Sequence, residues 1–167
     1  MRQRLLNGRL GYGLNVFYLN ADNLITTQMV DGRTLNVNTG NTENSGFEFL
    51  AFYTPMRHLQ LDANYSFLHT SRTLTAAPKH KFFMGADWQP GRFMLHSGLQ
   101  WIDGLHTADN NPTTENFWLL DLTASLRVSR ALKFFVHGEN LLAQHYEVNA
   151  GFPMPRATVM AGVEVQL

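Results

Sequence analysis

Seven histidines, at positions 58, 69, 80, 96, 106, 137 and 145, are the side chains best suited to proton transfer or metal ligation near neutral pH. No His-Glu-x-x-His occurs, so two ligands on one helical face with a general base beside them are missing. His96 and His137 lie on segments read below as strands. Glu139 follows His137 by two residues, which puts the two side chains on one strand face. That trio could hold a metal or act as a base–carboxylate pair, or it could belong to a hydrogen-bonded polar wall with no chemistry of its own. Ser97 projects opposite to His96, so the two make no nucleophile–base dyad without a bulge. Gly11-Tyr12-Gly13 lacks the third glycine and the following helix of a dinucleotide fingerprint. There is no Gly-x-Ser-x-Gly elbow and no phosphate loop. Asn64-Tyr65-Ser66 spells a glycosylation triplet, but inside a strand pattern. The sequence predicts neither an enzyme nor a bound cofactor.

Oxygen and nitrogen donors concentrate in two connecting segments. The 103–115 stretch carries Asp103, His106, Asp109, Asn110, Asn111 and Glu115, and the 142–155 stretch carries His145, Tyr146, Glu147 and Asn149. Function gathers on loops carried by rigid scaffolds. His106, Asp109, Asn110, His145 and Tyr146 are therefore the candidate ligand contacts, with ordinary solvated loop composition as the alternative.

The elements that position these residues follow from composition and periodicity. Thirteen Lys+Arg balance thirteen Asp+Glu over 167 residues, which excludes nucleic-acid binding through bulk positive charge. With 44% hydrophobic, 12% aromatic and 16% charged residues the chain is not a disordered one. Cysteine is absent, which excludes disulfides, thiolate metal sites and a cysteine nucleophile. Mean hydropathy is −0.19, and no apolar run approaches the ~18 residues of a membrane helix. Met1-Arg2-Gln3-Arg4 is basic, but Asn7-Gly8-Arg9 follows Leu5-Leu6 at once, so no signal-peptide core forms.

Period-two alternation runs through the chain. Val159, Ala161, Val163 and Val165 share one face at the C-terminal end, against Thr158, Met160, Gly162 and Glu164. Trp118, Leu120, Leu122, Ala124 and Leu126 alternate with Asp121, Thr123, Ser125 and Arg127. Similar patterns begin near positions 11, 47, 59, 81, 92 and 132, giving about eight antiparallel strands. Over 131–146, Leu132, Phe135 and Val136 also fit a helical face. The strands are roughly 10–12 residues long, against ~5–6 in soluble proteins. Connections alternate between short (54–58, 89–91, 129–130) and long (26–44, 70–78, 103–115, 142–155). Tyr53 and Trp88 flank short turns, whereas Phe67, Trp101 and Trp118 flank long loops. Aromatic residues at both ends of an apolar strand face match the two interfaces of a membrane barrel.

Several short motifs carry a family resemblance, in order, over residues 10–167. Asn44-Ser45-Gly46-Phe47-Glu48-Phe49 is similar to an Asn-x-Gly-x-Glu strand, and Leu61-Asp62-Ala63-Asn64-Tyr65-Ser66-Phe67 to the strand after it. Ala77-Pro78-Lys79-His80 is similar to an Ala-Pro-x-His strand start, with a structural role for His80. Leu119-Leu120-Asp121-Leu122 resembles the start of the penultimate hairpin. Asn140-Leu141-Leu142-Ala143-Gln144-His145-Tyr146 resembles an Asn-Leu-Leu-Asp-x-x-Tyr stretch, and Gly151-Phe152-Pro153-Met154-Pro155-Arg156 the approach to a final strand. Together these resemble the C-terminal part of a TonB-dependent outer-membrane receptor. Ala143 stands where the family has Asp, Pro155-Arg156 where Pro-Gly-Arg is common, and Leu167 where an aromatic is usual.

The resemblance implies an all-β antiparallel meander, residues 1–167 forming the C-terminal portion of a barrel of about 22 strands. The signal peptide, TonB box, plug and first strands would lie outside this sequence. It implies localisation in the Gram-negative outer membrane and transport without catalysis. Outer-membrane lipid, a metal chelate (ferric siderophore, haem or cobalamin) and TonB, through the plug, would be its partners, with no nucleic acid among them. Two other readings are open: a self-closing eight-stranded outer-membrane barrel, and a soluble lipocalin-like ligand binder.

Overall fold

The structure, a computed structural model, describes residues 2–22, 25–38, 40–108 and 113–166. The strands are β1 (Arg2–Leu5), β2 (Leu10–Ala21), β3 (Ile25–Val30), β4 (Arg33–Asn38), β5 (Thr42–Met56), β6 (Leu59–Thr70), β7 (His80–Trp88), β8 (Phe93–His106), β9 (Thr114–Arg127), β10 (Leu132–Glu139), β11 (Glu147–Asn149), β12 (Phe152–Pro153) and β13 (Thr158–Val165). Nine of them form one antiparallel sheet in the order β1-β2-β5-β6-β7-β8-β9-β10-β13. Each long strand pairs with the next across a tight turn or a long connection, the up-and-down meander that the alternation predicts.

The register sorts side chains into two faces. One row crosses Tyr12, Ala51, Ala63, Met84, Leu99 and Leu120, each opposite the next. The neighbouring row on the other face crosses Gly11, Phe52, Asp62, Gly85, Gly98 and Asp121. A slip of one residue would exchange the two sets, so the pairing fixes the faces. Val163 opposes Phe134, while Glu164 opposes Lys133 with 2.9 Å between Nζ and Oε2. Val159, Val163, Val165, Leu120, Leu122 and Leu95 therefore share the apolar face, and Arg127, Glu139 and Glu164 the other, as alternation predicts.

Two aromatic rows bound the apolar face. Near the long loops, Phe47, Tyr65, Phe67, His80, Trp101 and Trp118 form a continuous chain of ring contacts with centroids 5.1–6.1 Å apart. His80 belongs to it, with its Nδ1 2.7 Å from the Tyr65 hydroxyl. Near the short turns, Trp88 meets Phe93 edge-on at 5.9 Å, and Tyr53, opposite Leu61, stands one same-face row further in. Between the rows this face carries no Asp, Glu, Lys or Arg.

The opposite face is built on glycine. The phenyl rings of Phe52, Phe17 and Phe135 lie over their cross-strand partners Gly11, Gly46 and Gly162. At Gly46, the glycine of the Asn-x-Gly-x-Glu motif, an added Cβ would sit 2.2 Å from the Phe67 carbonyl oxygen and 2.7 Å from the Phe17 ring. Backbone cannot rotate away as a side chain can, so Gly46→Ala is expected to cost about 1–3 kcal/mol. Gly91→Ala has open space but a positive φ of 65°, so its cost is backbone strain of about 1 kcal/mol alone. Urea titration of the two variants checks the order.

The structure departs from the sequence reading in several places. There are nine sheet strands rather than about eight, because β1 adds an edge too short to show alternation. The 26–44 and 142–155 connections are not plain loops. They contain the hairpins β3–β4 and β11–β12. Strand β5 runs 15 residues, through Pro55, with a register break between Tyr53 and Met56, so the turn shrinks to 57–58. The helical alternative over 131–146 falls, since Leu132–Glu139 pairs with strands on both sides. Arg156 and Ala157 precede the last strand instead of belonging to it. Leu167 lies outside the described residues.

Candidate functional site

The long-loop end of the sheet positions the candidate contacts, and it separates them. His106 closes β8 beyond a bulge at Gly104, whose φ of 68° suits glycine. Its carbonyl accepts the Ala76 N–H at 2.9 Å, which draws the 71–79 connection against the strand end. There His69, Arg72, Lys79, Asp103 and Thr114 line, with His106, a depression of about 480 Å³. Sequence reasoning missed His69, Arg72 and Lys79, since only the fold brings the 69–79 stretch against the ends of β8 and β9.

Tyr146 is not a loop contact but part of a small core. It is 9% exposed and stacks on Phe117 at 4.1 Å, beside Ile102 and Leu105. Burial pushes its phenol pKa upward, and the nearby carboxylates of Asp121 and Glu139 push the same way. His145, next to it, is exposed. Asp109 and Asn110 lie outside the described residues.

Asn140 holds this end together. It is 5% exposed, with φ at 47°, a left-handed conformation that Asn tolerates. Its Nδ2 donates to the carbonyls of Gln144 (2.9 Å) and Pro155 (3.0 Å), and its Oδ1 accepts the Gln144 N–H (3.0 Å). Its own N–H donates to Asp121 Oδ1 at 2.9 Å. The Asn-Leu-Leu stretch is thus a clamp fastening 140–155 to β9. Ala143, within it, also has a left-handed φ of 52°. Alanine is strained there and Asn or Asp is not, so Ala143→Asn is expected to stabilise by about 0.5–1 kcal/mol, read from the unfolding midpoint.

The His96, His137 and Glu139 trio resolves into two pairs. His96 Nδ1 lies 2.7 Å from Asp87 Oδ1, and His137 lies between Thr123 Oγ1 (2.7 Å) and Glu139 Oε1 (3.0 Å). Thr123 stands opposite both histidines in the register and keeps them on separate strands. Both ring nitrogens of His137 are engaged, the pattern of a hydrogen-bonded wall. Among the described residues no three His, Asp or Glu side chains converge on a metal position.

A family model described as TonB dependent receptor-like, beta-barrel matches residues 2–141. No curated protein matches the chain significantly. Among solved structures, the copper transporter OprC superposes with a TM-score of 0.79 at 18% identity, over 95% of this chain and 29% of its own. The ferripyoverdine receptor of the Pseudomonas aeruginosa outer membrane gives 0.75 at 18%, over 98% and 26%. The ferric-catecholate import receptor Fiu from E. coli K12 gives 0.70 at 19%, over 98% and 26%. The chain thus spans little more than a quarter of the structures it matches.

Proposed function

Since the chain belongs to the TonB-dependent receptor β-barrel family, we propose that it is the C-terminal portion of an outer-membrane barrel importing a metal chelate. Receptors of this family reside in the Gram-negative outer membrane and act as transporters rather than enzymes. The observation that carries the reading is the placement of apolar surface. Only Ile102, Leu105, Phe117 and Tyr146 are buried hydrophobics among the described residues, while Val16, Val159 and Val165 are 62–71% exposed. A soluble lipocalin-like domain of this length would bury such residues. A barrel wall gives them to lipid.

The sheet is also open, with β1 and β13 as its edges. Unpaired N–H and C=O groups cost several kcal/mol each in hydrocarbon, so further strands must complete the wall. This supports a segment of a larger barrel over a self-closing small one. Ligand contact falls to the long-loop end. The His69, Arg72, Lys79 and His106 depression offers donors suited to the anionic oxygens of a chelate, and His145 is an exposed donor in the 140–155 connection. Ferric siderophore, haem and cobalamin remain the candidate cargoes, and TonB would act through a plug outside this sequence.

Growth on a single chelate as metal source tests the proposal. Cells lacking the intact receptor should not grow, and residues 1–167 exported alone should not restore growth, because TonB has no plug to pull. Growth restored by 1–167 alone, or a monodisperse chain without detergent, would contradict it.

A further inference from the structure

The short-turn end carries a charge pattern that transport does not explain. Each of the four short turns holds one exposed arginine and no acid: Arg9, Arg57, Arg92 and Arg130. The acids nearest this end are already engaged, Asp87 with His96 at 2.7 Å and Glu164 with Lys133 at 2.9 Å. Arg92 donates one bond to the Val128 carbonyl, at 3.2 Å, and keeps its other donors. None of the four has a carboxylate partner among the described residues. Immediately along the apolar face stand Tyr53, Trp88 and Phe93. Beyond them a groove of about 440 Å³ opens over the small residues Ala124 and Ala161, walled by Leu126, Phe134 and Val163.

We propose that this end is a docking surface for anionic phospholipid, the turn arginines meeting the phosphates and the groove an acyl chain. An acidic peptide would account for the arginines but leave the groove unexplained. Phosphate and hydrocarbon within one ligand fit both. Guanidinium pairs with phosphate oxygens in a two-point geometry, and a cation near an anionic membrane contributes about fivefold in binding. The proposal rests on the membrane-barrel reading.

Flotation of the whole barrel carrying residues 1–167, diluted from urea into vesicles, separates the two. The vesicles are phosphatidylcholine alone, or phosphatidylcholine with one third phosphatidylglycerol. The barrel is expected to bind both, and the anionic ones far more strongly at low salt. The variant Arg57→Gln/Arg92→Gln/Arg130→Gln should lose roughly 100-fold of the anionic affinity and keep the neutral binding. Removing three cations from the long-loop end, Arg33→Gln/Arg72→Gln/Arg156→Gln, should change it little. Equal anionic binding by the turn variant and the unaltered chain would overturn the proposal while leaving the barrel reading intact. So would retention on polyglutamate without any phosphatidylglycerol preference. A barrel that floats with neither vesicle would overturn the barrel reading itself.

Discussion

Leu122→Arg is expected to lower the stability of the assembled barrel by about 2–4 kcal/mol, whereas Thr123→Arg, one residue on, should cost about 1 kcal/mol. Leu122 opposes Ser97 and Gly138 on the apolar face, midway between the aromatic rows. A guanidinium there loses its water and finds no partner, because no carboxylate shares that face between the rows. Thr123 projects to the polar face. Its replacement forfeits one hydrogen bond to His137 but leaves the new charge among Asp87, Glu139 and water. Denaturant titration of the barrel carrying residues 1–167, in lipid, reads both values. Equal costs would mean that the faces are misassigned.

Asn140→Ala is expected to cost about 2–4 kcal/mol. Three part-buried side-chain hydrogen bonds disappear at roughly 1 kcal/mol each. Alanine also tolerates the left-handed φ of 47° less well than asparagine. The damage should be local first. Amide exchange across 141–155 is expected to accelerate more than in β5–β7, since Asn140 joins Gln144 to Pro155. Asn140→Asp should recover the bond from the Gln144 N–H and lose both donations, giving an intermediate value.

The fold was legible where the physics is local. Alternation between apolar and polar residues is written in each strand, so the faces of β8, β9 and β13 could be read without knowing their neighbours. The length of β5 was obscured by Pro55, which reads as a turn but sits at an irregular stretch of the ladder. Strand β1 and the hairpins in the long connections are too short for periodicity to register. Site residues were less legible, because they depend on register between strands. His96 and His137 share a face, yet only the pairing through Thr123 shows that they cannot meet. Tyr146 looked like a ligand contact because loop aromatics often are, and it turned inward onto Phe117. The Asn140 clamp draws on residues 121, 144 and 155, and no local pattern announces it.

The absence of cysteine makes one measurement direct. Single cysteines placed at each position from Val159 to Val165, spin-labelled in the barrel in lipid bilayers, report contact with oxygen in hydrocarbon or with a water-soluble relaxant. The account predicts strict period two: positions 159, 161, 163 and 165 in hydrocarbon, and 160, 162 and 164 in water. Exchange of the two sets, or water accessibility at all seven positions, would contradict a lipid-facing apolar wall.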